Sequence, residues 1–375
     1  MIVRIYLLFV ILGIFFKKSR PLSCFILVFM WIVGTFCYGN ADDSVYINRY
    51  SHPELWVSYT EYGFNTIIYI CKYIGLSYTE FKGVVFAIEI VLIGSTVLKY
   101  AKYPNLVLLL YFICPFPLNV TQIRSSLATS VMIFACRYLF EDSDKNKIHL
   151  NDLKFIICIF LASLIHTLSI LWFVLILAKK WDLKKISIFT LLFNMAIYFV
   201  ITPQFILKIV SLFGAGRRIG AYLTLEYARS SWRHRGPVIY VLFVALTILL
   251  MTTYFEKNKY IHRNLSDMEI QRLYLCKKIN MLLLILVSII LRYTAEVTRV
   301  QEGIAIINYT LISNCINSKS FKLTQSNLVV LLSIIAFGLL YLWLIILYYL
   351  TDLVWIPFWF NNTFFERIQD MVSLM

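Results

Sequence analysis

Charge is scarce in this sequence, and several long stretches have none. Of 375 residues, 15% are charged and 60% hydrophobic, with a mean hydropathy of +0.77. Soluble domains carry about 25% charged and about 45–50% apolar residues, so a soluble enzyme is excluded. Asp, Glu, Lys and Arg are absent from residues 21–41, 155–178, 187–207, 236–255 and 328–350. A bilayer core needs roughly 20 apolar residues in a helix, and these runs reach or approach that length. They also lack the period-two alternation of a membrane barrel, and hydrocarbon admits no other open structure, because an unpaired backbone group has nothing there to bond. The fold class that follows is all-α: a polytopic membrane bundle of roughly ten to twelve transmembrane helices.

Other absences narrow the function. The eight cysteines, at 24, 37, 71, 114, 136, 158, 276 and 315, form no CxxC pair, and no His-rich ligand spacing accompanies them. They read as reduced packing residues, and no metal site is assigned. No acidic cluster at ligand spacing occurs beyond Asp42-Asp43, and no cofactor is called for. No internal repeat, low-complexity linker or composition shift divides the chain, so residues 1–375 read as a single polytopic domain. The first apolar run, residues 5–16, is followed by Lys17, Lys18 and Arg20 and lacks a small-residue cleavage site, so it reads as a spanning helix and not a signal peptide.

The net charge of +15 comes from Lys and Arg in short loops, with no nucleic-acid-binding motif beside them, so nucleic acid is excluded as a partner. Counting positive charge places residues 17–20, 99–102, 179–185, 256–278 and 319–322 in the cytoplasm. That leaves an acidic outer loop at about 40–60 and a long outer arginine-rich segment at about 202–235. Residues 61–152 are hardest to thread: 65–76 is short enough to be interfacial or re-entrant. Pro115 and Pro117 break any helix that crosses them, since each removes an amide donor and crowds the preceding turn.

Charged groups near a bilayer centre are expensive and need a partner, a cavity or a role. Arg124, just past the proline break, offers a planar donor fork for phosphate or carboxylate; snorkelling is its bland alternative. His166, in Ser163-Leu-Ile-His-Thr-Leu-Ser169, is either a structural hydrogen-bonding group or a base. Arg292, Glu296 and Arg299, at i, i+4 and i+7, are expected on one helix face, with the glutamate orienting two arginines toward an anion. The outer segment adds Arg217, Arg218, Arg229, Arg233 and Arg235, with no lysine among residues 217–235, a composition that favours phosphate recognition. Glu89 is the clearest acid within a span, too few for a proton relay.

Taken in order, these landmarks resemble a known family. Asp42-Asp43 with Tyr46 and Tyr50 comes first, then Glu61-Tyr-Gly-Phe64, Gln122-Ile-Arg-Ser-Ser-Leu-Ala128, Ser163-Leu-Ile-His-Thr-Leu-Ser169, and Arg299 with Tyr309. The set is similar to that of the EpsG-like family of Wzy-type polysaccharide polymerases and spans most of the chain. Departures are Ser125 where glutamine is more usual, Thr167 after the histidine, and no arginine in 34–40 ahead of the aspartates. The resemblance implies a membrane glycosyltransferase at the outer face of the cytoplasmic membrane, extending O-antigen, capsule or exopolysaccharide. The donor would be a glycan on polyprenyl pyrophosphate and the acceptor a lipid-linked repeat whose sugar hydroxyl attacks the anomeric carbon. Besides these and membrane lipid, a chain-length regulator protein is the partner class such an enzyme would have. Arg124 and Arg299 would grip pyrophosphate, with Arg217, Arg218, Arg229, Arg233, Arg235, Arg292 and Tyr46 binding substrate. Asp43, Glu61 and His166 compete for the role of base. A lipid-linked oligosaccharide flippase or a glycan ligase would share the basic surface.

Overall fold

The computed structural model describes residues 1–56, 61–141, 149–202, 204–205, 208, 231–257, 265–315 and 351–373, with the backbone alone at 231–235 and 295. Among the described residues the regular elements are helices, joined by one isolated antiparallel bridge between Cys37 and Asn362. Four helical stretches are long and apolar enough to cross a bilayer: Tyr78–Tyr100, Leu183–Val200, Gly236–Lys257 and Asp267–Arg292. The protein is an all-α membrane bundle. The run at 328–350 lies outside the described residues, as do Arg217, Arg218 and Arg229; Arg233 and Arg235 are described only as backbone at the head of a helix.

The chain divides into two compact units, the first being Met1–Arg137, Ile157–Ile170 and Tyr348–Met375, the second the remainder. In the first unit α1 (Ile2–Phe15), α2 (Arg20–Phe36), α5 (Tyr78–Tyr100) and α6 (Pro104–Ile113) pack side by side. Helices in lipid gain little from apolar burial and associate by close backbone approach. Here a Cβ added to Gly34 of α2 would lie 2.8 Å from the Phe86 ring of α5, so glycine sets that spacing. Phe29, Phe112, Phe116 and Phe358 fill the interior between α2, α6 and the C-terminal helices α16 (Ile356–Phe360) and α17 (Thr363–Ser373).

Two lysines of this unit meet at the end that holds the α1–α2 turn. Lys18, after α1, and Lys102, after α5, both lie over the Tyr103 ring, each 5.7 Å from its centroid. Asn105 Nδ2 there donates to the carbonyls of Phe16 (2.5 Å) and Ser19 (3.1 Å), tying the α1–α2 turn to α6. At the other end lie the C-terminus of α2, α3 (Asp43–Ser51), both ends of α4 (Tyr62–Tyr73) and the head of α5. With 12 residues α4 is too short to cross, and both its ends lie beside α3, where Glu61 meets Arg49 and the Leu76 carbonyl accepts from Tyr50. The proline break is present too: α6 stops at Ile113, a short α7 (Phe116–Thr121) turns the chain, and α8 (Ile123–Phe140) starts after Gln122.

The apolar run at 155–178 is not one continuous helix. Helix α9 (Leu150–Ile165) ends one residue before His166, a 3₁₀ stretch occupies Thr167–Val174, and α10 (Leu175–Lys180) follows. The change of pitch falls where the chain passes from the first unit to the second. The second unit holds α10, α11 (Leu183–Met195), α12 (Ser231–Lys257), α13 (Asp267–Leu282), α14 (Leu286–Arg292) and α15 (Thr298–Ser313). Its lysines also gather at one end, where buried Asp152 accepts from Lys179 (2.7 Å) and Lys180 (2.6 Å). In its core Asn280 and Asn308 exchange side-chain hydrogen bonds of 2.8 and 3.1 Å across α13 and α15, the amide pairing by which membrane helices are joined.

The expected single face carrying Arg292, Glu296 and Arg299 is corrected by the structure. Helix α14 stops at Arg292, a 3₁₀ turn spans Ala295–Val297, and α15 begins at Thr298, so the i, i+4, i+7 spacing runs across a break. Among the described residues Glu296 pairs with Arg299, while Arg292 lies over the Tyr198 ring, 6.0 Å from its centroid.

Candidate functional site

Helix α3 is short and polar, and its buried residues Asp43, Tyr46, Arg49 and Tyr50 fall at three- and four-residue intervals, one face of a helix. Each holds the helix to a neighbour. Asp43 Oδ2 accepts from the Gly39 amide (2.8 Å), and Oδ1 accepts from the Tyr78 hydroxyl (3.0 Å) with the Lys82 ammonium 3.9 Å away. Lys82 also donates to the Cys37 carbonyl at the end of α2. At the other end of α3 the Tyr50 hydroxyl donates to the Leu76 carbonyl (2.5 Å).

Glu61, immediately before α4, is the centre of the second cluster. A carboxylate is favoured at that helix N-terminus, yet this one has no exposed surface and so needs partners. It has three. Its Oε2 takes Arg49 Nη1 at 3.2 Å and Arg124 Nη1 in closer contact, and its Oε1 lies 3.0 Å from His166 Nδ1. Arg49 spends its other donors on Asn65 Oδ1, from Nε at 2.9 Å and from Nη2 at 2.6 Å, and its guanidinium stands 5.4 Å from the Trp56 ring centroid and 5.1 Å from that of Phe64. Burial, then the positive charge of Arg124, lowers the Arg49 guanidinium to about 10, with Glu61 acting in the other direction; it remains protonated at neutral pH.

Tyr46 carries α3 into contact with α8. Its hydroxyl accepts from both the backbone amide and Nε of Arg124, each at 3.4 Å, and the guanidinium stands 5.7 Å from the ring centroid. The amide bond satisfies one of the donors that the first turn of a helix leaves open. Two residues on, the Ser126 hydroxyl donates to Glu89 Oε2 of α5 (2.6 Å), which places the one clear intraspan acid beside the same helix.

The approach of α4 to α9 depends on a small residue. A Cβ on Gly63 would stand 3.1 Å from the backbone carbonyl of Leu164, tighter than side chains accept, and backbone cannot move aside as a side-chain tip would. Glycine in Glu61-Tyr-Gly-Phe64 therefore lets the Glu61 carboxylate reach His166. The histidine lies where α9 ends, its amide still bonded to the Ala162 carbonyl at 2.9 Å.

The cluster holds two permanent cations and one carboxylate, an excess of one positive charge before His166 is counted. Among its members Arg124 is the most open, with 14% of its side chain exposed against 1% for Arg49, none for Glu61 and 8% for His166. No group of three or more His, Cys, Asp and Glu among the described residues could hold a metal ion.

Of the residues singled out from sequence, Tyr46, Glu61, Arg124 and His166 converge in the first unit, and Asp43 sits in the adjoining cluster, fully engaged. Arg292 and Arg299 belong to the second unit. Arg49 was missed, although a signal existed: it is the sole Lys or Arg in the otherwise acidic loop 40–60. Lys82 was hidden inside the apolar stretch that becomes α5.

No curated protein and no solved structure matches the chain. The family model of EpsG matches residues 20–359, nearly the whole length, and takes in every residue of both clusters. With three ordered landmarks of the resemblance, at Glu61, Arg124 and His166, now meeting at one carboxylate and the match covering almost all of the sequence, the chain belongs to the EpsG family.

Proposed function

We infer a polysaccharide polymerase-like role from membership of the EpsG family, which is one of Wzy-like polymerases. We propose that the protein joins glycan repeat units, transferring a polyprenyl-pyrophosphate-linked glycan to the terminal sugar hydroxyl of a lipid-linked repeat. The transfer takes place at the outer face of the cytoplasmic membrane. The observation that carries this reading is the convergence of Arg49, Arg124 and His166 on buried Glu61.

Such a transfer breaks the bond between the anomeric carbon and pyrophosphate oxygen and forms one from that carbon to the acceptor oxygen. The leaving lipid pyrophosphate takes the bonding pair, and the acceptor proton goes to a base. A carboxylate beside His166 Nδ1 favours the proton on that nitrogen, which leaves Nε2 as the basic one. His166 is thus the base this geometry favours over Asp43, which is spent on Gly39, Tyr78 and Lys82, and over Glu61, whose oxygens are already taken up. Arg124, partly open and paired at one edge, supplies charge-assisted bonds to pyrophosphate oxygens as their charge grows. Arg217, Arg218, Arg229, Arg233, Arg235, Arg292 and Arg299 remain candidates for the rest of the lipid pyrophosphate and for the acceptor.

The test is genetic. In a host deleted for the gene, surface glycan on a gel is expected to collapse to a single repeat on its usual anchor. Wild type restores the ladder, and Arg124→Ala and His166→Ala at matched membrane levels do not. A single repeat excludes a flippase, whose loss would leave no surface repeat, and a ligase, whose loss would leave none attached. Full ladders in the deletion strain would end the proposal.

A further inference from the structure

Two arginines meet Glu61, and the structure sets them apart. Arg124 is partly exposed, and its Nη2 makes no hydrogen bond among the described residues. Arg49 is 1% exposed, directs Nη1 to Glu61 and both Nε and Nη2 to Asn65, and has the Trp56 and Phe64 rings beside its guanidinium, 5.4 and 5.1 Å to their centroids. A buried guanidinium whose three nitrogens are all bonded to protein has nothing left for a phosphate. Its links also cross elements: Arg49 comes from α3, Glu61 and Asn65 from the head of α4.

We infer that Arg49 is a positioning residue: it holds Glu61 in place and offsets its charge, so that the carboxylate orients His166 without locking it in the protonated form. This rests on the proposed polymerase chemistry, in which His166 accepts a proton. A lone carboxylate 3.0 Å from an imidazole favours imidazolium, which cannot act as a base. Two guanidiniums on the same carboxylate counter that pull. Among the described residues of this unit, the charged and titratable groups facing the pair are Arg49 and Tyr46 from α3, Arg124 from α8, and Glu61 and His166 themselves.

Arg49 therefore acts through Glu61 and not on substrate, and the two arginines separate in kinetics. Full-length protein in nanodiscs is assayed with lipid-linked repeats extracted from the deletion strain, across pH. For Arg49→Gln, kcat is expected to fall by at least about 30-fold with KM within about threefold. Removing one charge near His166 raises its pKa, so the acidic limb of the kcat profile moves up by about one pH unit. Arg49→Lys keeps the charge but loses the fork: its limb stays at the wild-type position and part of kcat returns. Arg124→Gln serves as the contrast, with a raised KM.

A raised KM with unchanged kcat in Arg49→Gln would make Arg49 a substrate ligand and overturn the inference. So would unchanged kinetics, an unmoved acidic limb, or loss of the folded protein in both Arg49→Gln and Arg49→Lys, judged by gel filtration. Absence of product with wild-type protein is seen before any variant is measured; it removes the polymerase reading and the inference with it.

Discussion

At residue scale the chemistry is concentrated in Glu61, a fully buried carboxylate whose partners lie on three other segments. Removing one member of a buried ion pair leaves the other uncompensated, a loss of about 3–5 kcal/mol. Glu61→Ala is therefore expected to destabilise the protein strongly, seen as a large fall in thermal unfolding temperature in detergent, because it strands Arg49 inside. Glu61→Gln keeps the shape and one acceptor and should unfold higher than Glu61→Ala while staying inactive. If both unfold with wild type, the carboxylate has no structural share in the cluster. His166→Ala, by contrast, removes a group that completes no permanent ion pair. Its expected loss is in turnover, by about 10²–10⁴-fold as for other general bases, at near-normal stability, measured as kcat beside an unfolding curve.

At the scale of elements, sequence and structure part company at helix ends. Long charge-free runs made the helices legible, and the proline pair at 115 and 117 marked a real break, because both follow from solvation and backbone sterics within a few residues. The 3₁₀ stretch after His166 and the break between Arg292 and Glu296 were not legible, since periodicity continues unchanged through a local change of pitch. Arg49 and Lys82 were passed over for a related reason: their importance comes from partners 12 and 39 residues away in sequence, Glu61 and Asp43, which only the tertiary structure brings near. Two predictions belong here. Gly63→Val should push the head of α4 off the last turn of α9, widening the gap between Glu61 and His166. Ladder formation should fail while membrane levels hold, and Gly75→Ala, with open space around its Cβ, sets the level of damage that backbone strain alone produces at a positive-φ glycine. Lys82→Met should free the first turn of α3 by removing both its partner at Asp43 and its bond to the Cys37 carbonyl. Faster proteolysis within 40–60 in purified protein is the expected sign, and unchanged cleavage would show that Tyr78 and Gly39 suffice to hold Asp43.

At the scale of the whole molecule the remaining question is which way the first unit faces, and its charge distribution supplies the answer to test. Lys18 and Lys102 share one end with the α1–α2 turn, and Glu61, Arg124 and His166 share the other. Lys and Arg are retained on the cytoplasmic side of membrane helices, so the proposed function expects the Glu61 cluster to face outward, where lipid-linked repeats would be joined. Impermeant maleimide labelling distinguishes the two orientations. Cys24 is the exposed native cysteine and is replaced by serine first. Glu54, 62% exposed between α3 and α4, then becomes the outer probe as Glu54→Cys, and exposed Lys18 becomes the inner one as Lys18→Cys. Glu54→Cys should label in spheroplasts, and Lys18→Cys only after the membrane is permeabilised. The reverse pattern would put Glu61 and His166 in the cytoplasm, where a polymerase of surface repeats has no substrate, and the proposed function would fall even if every contact around Glu61 were correct.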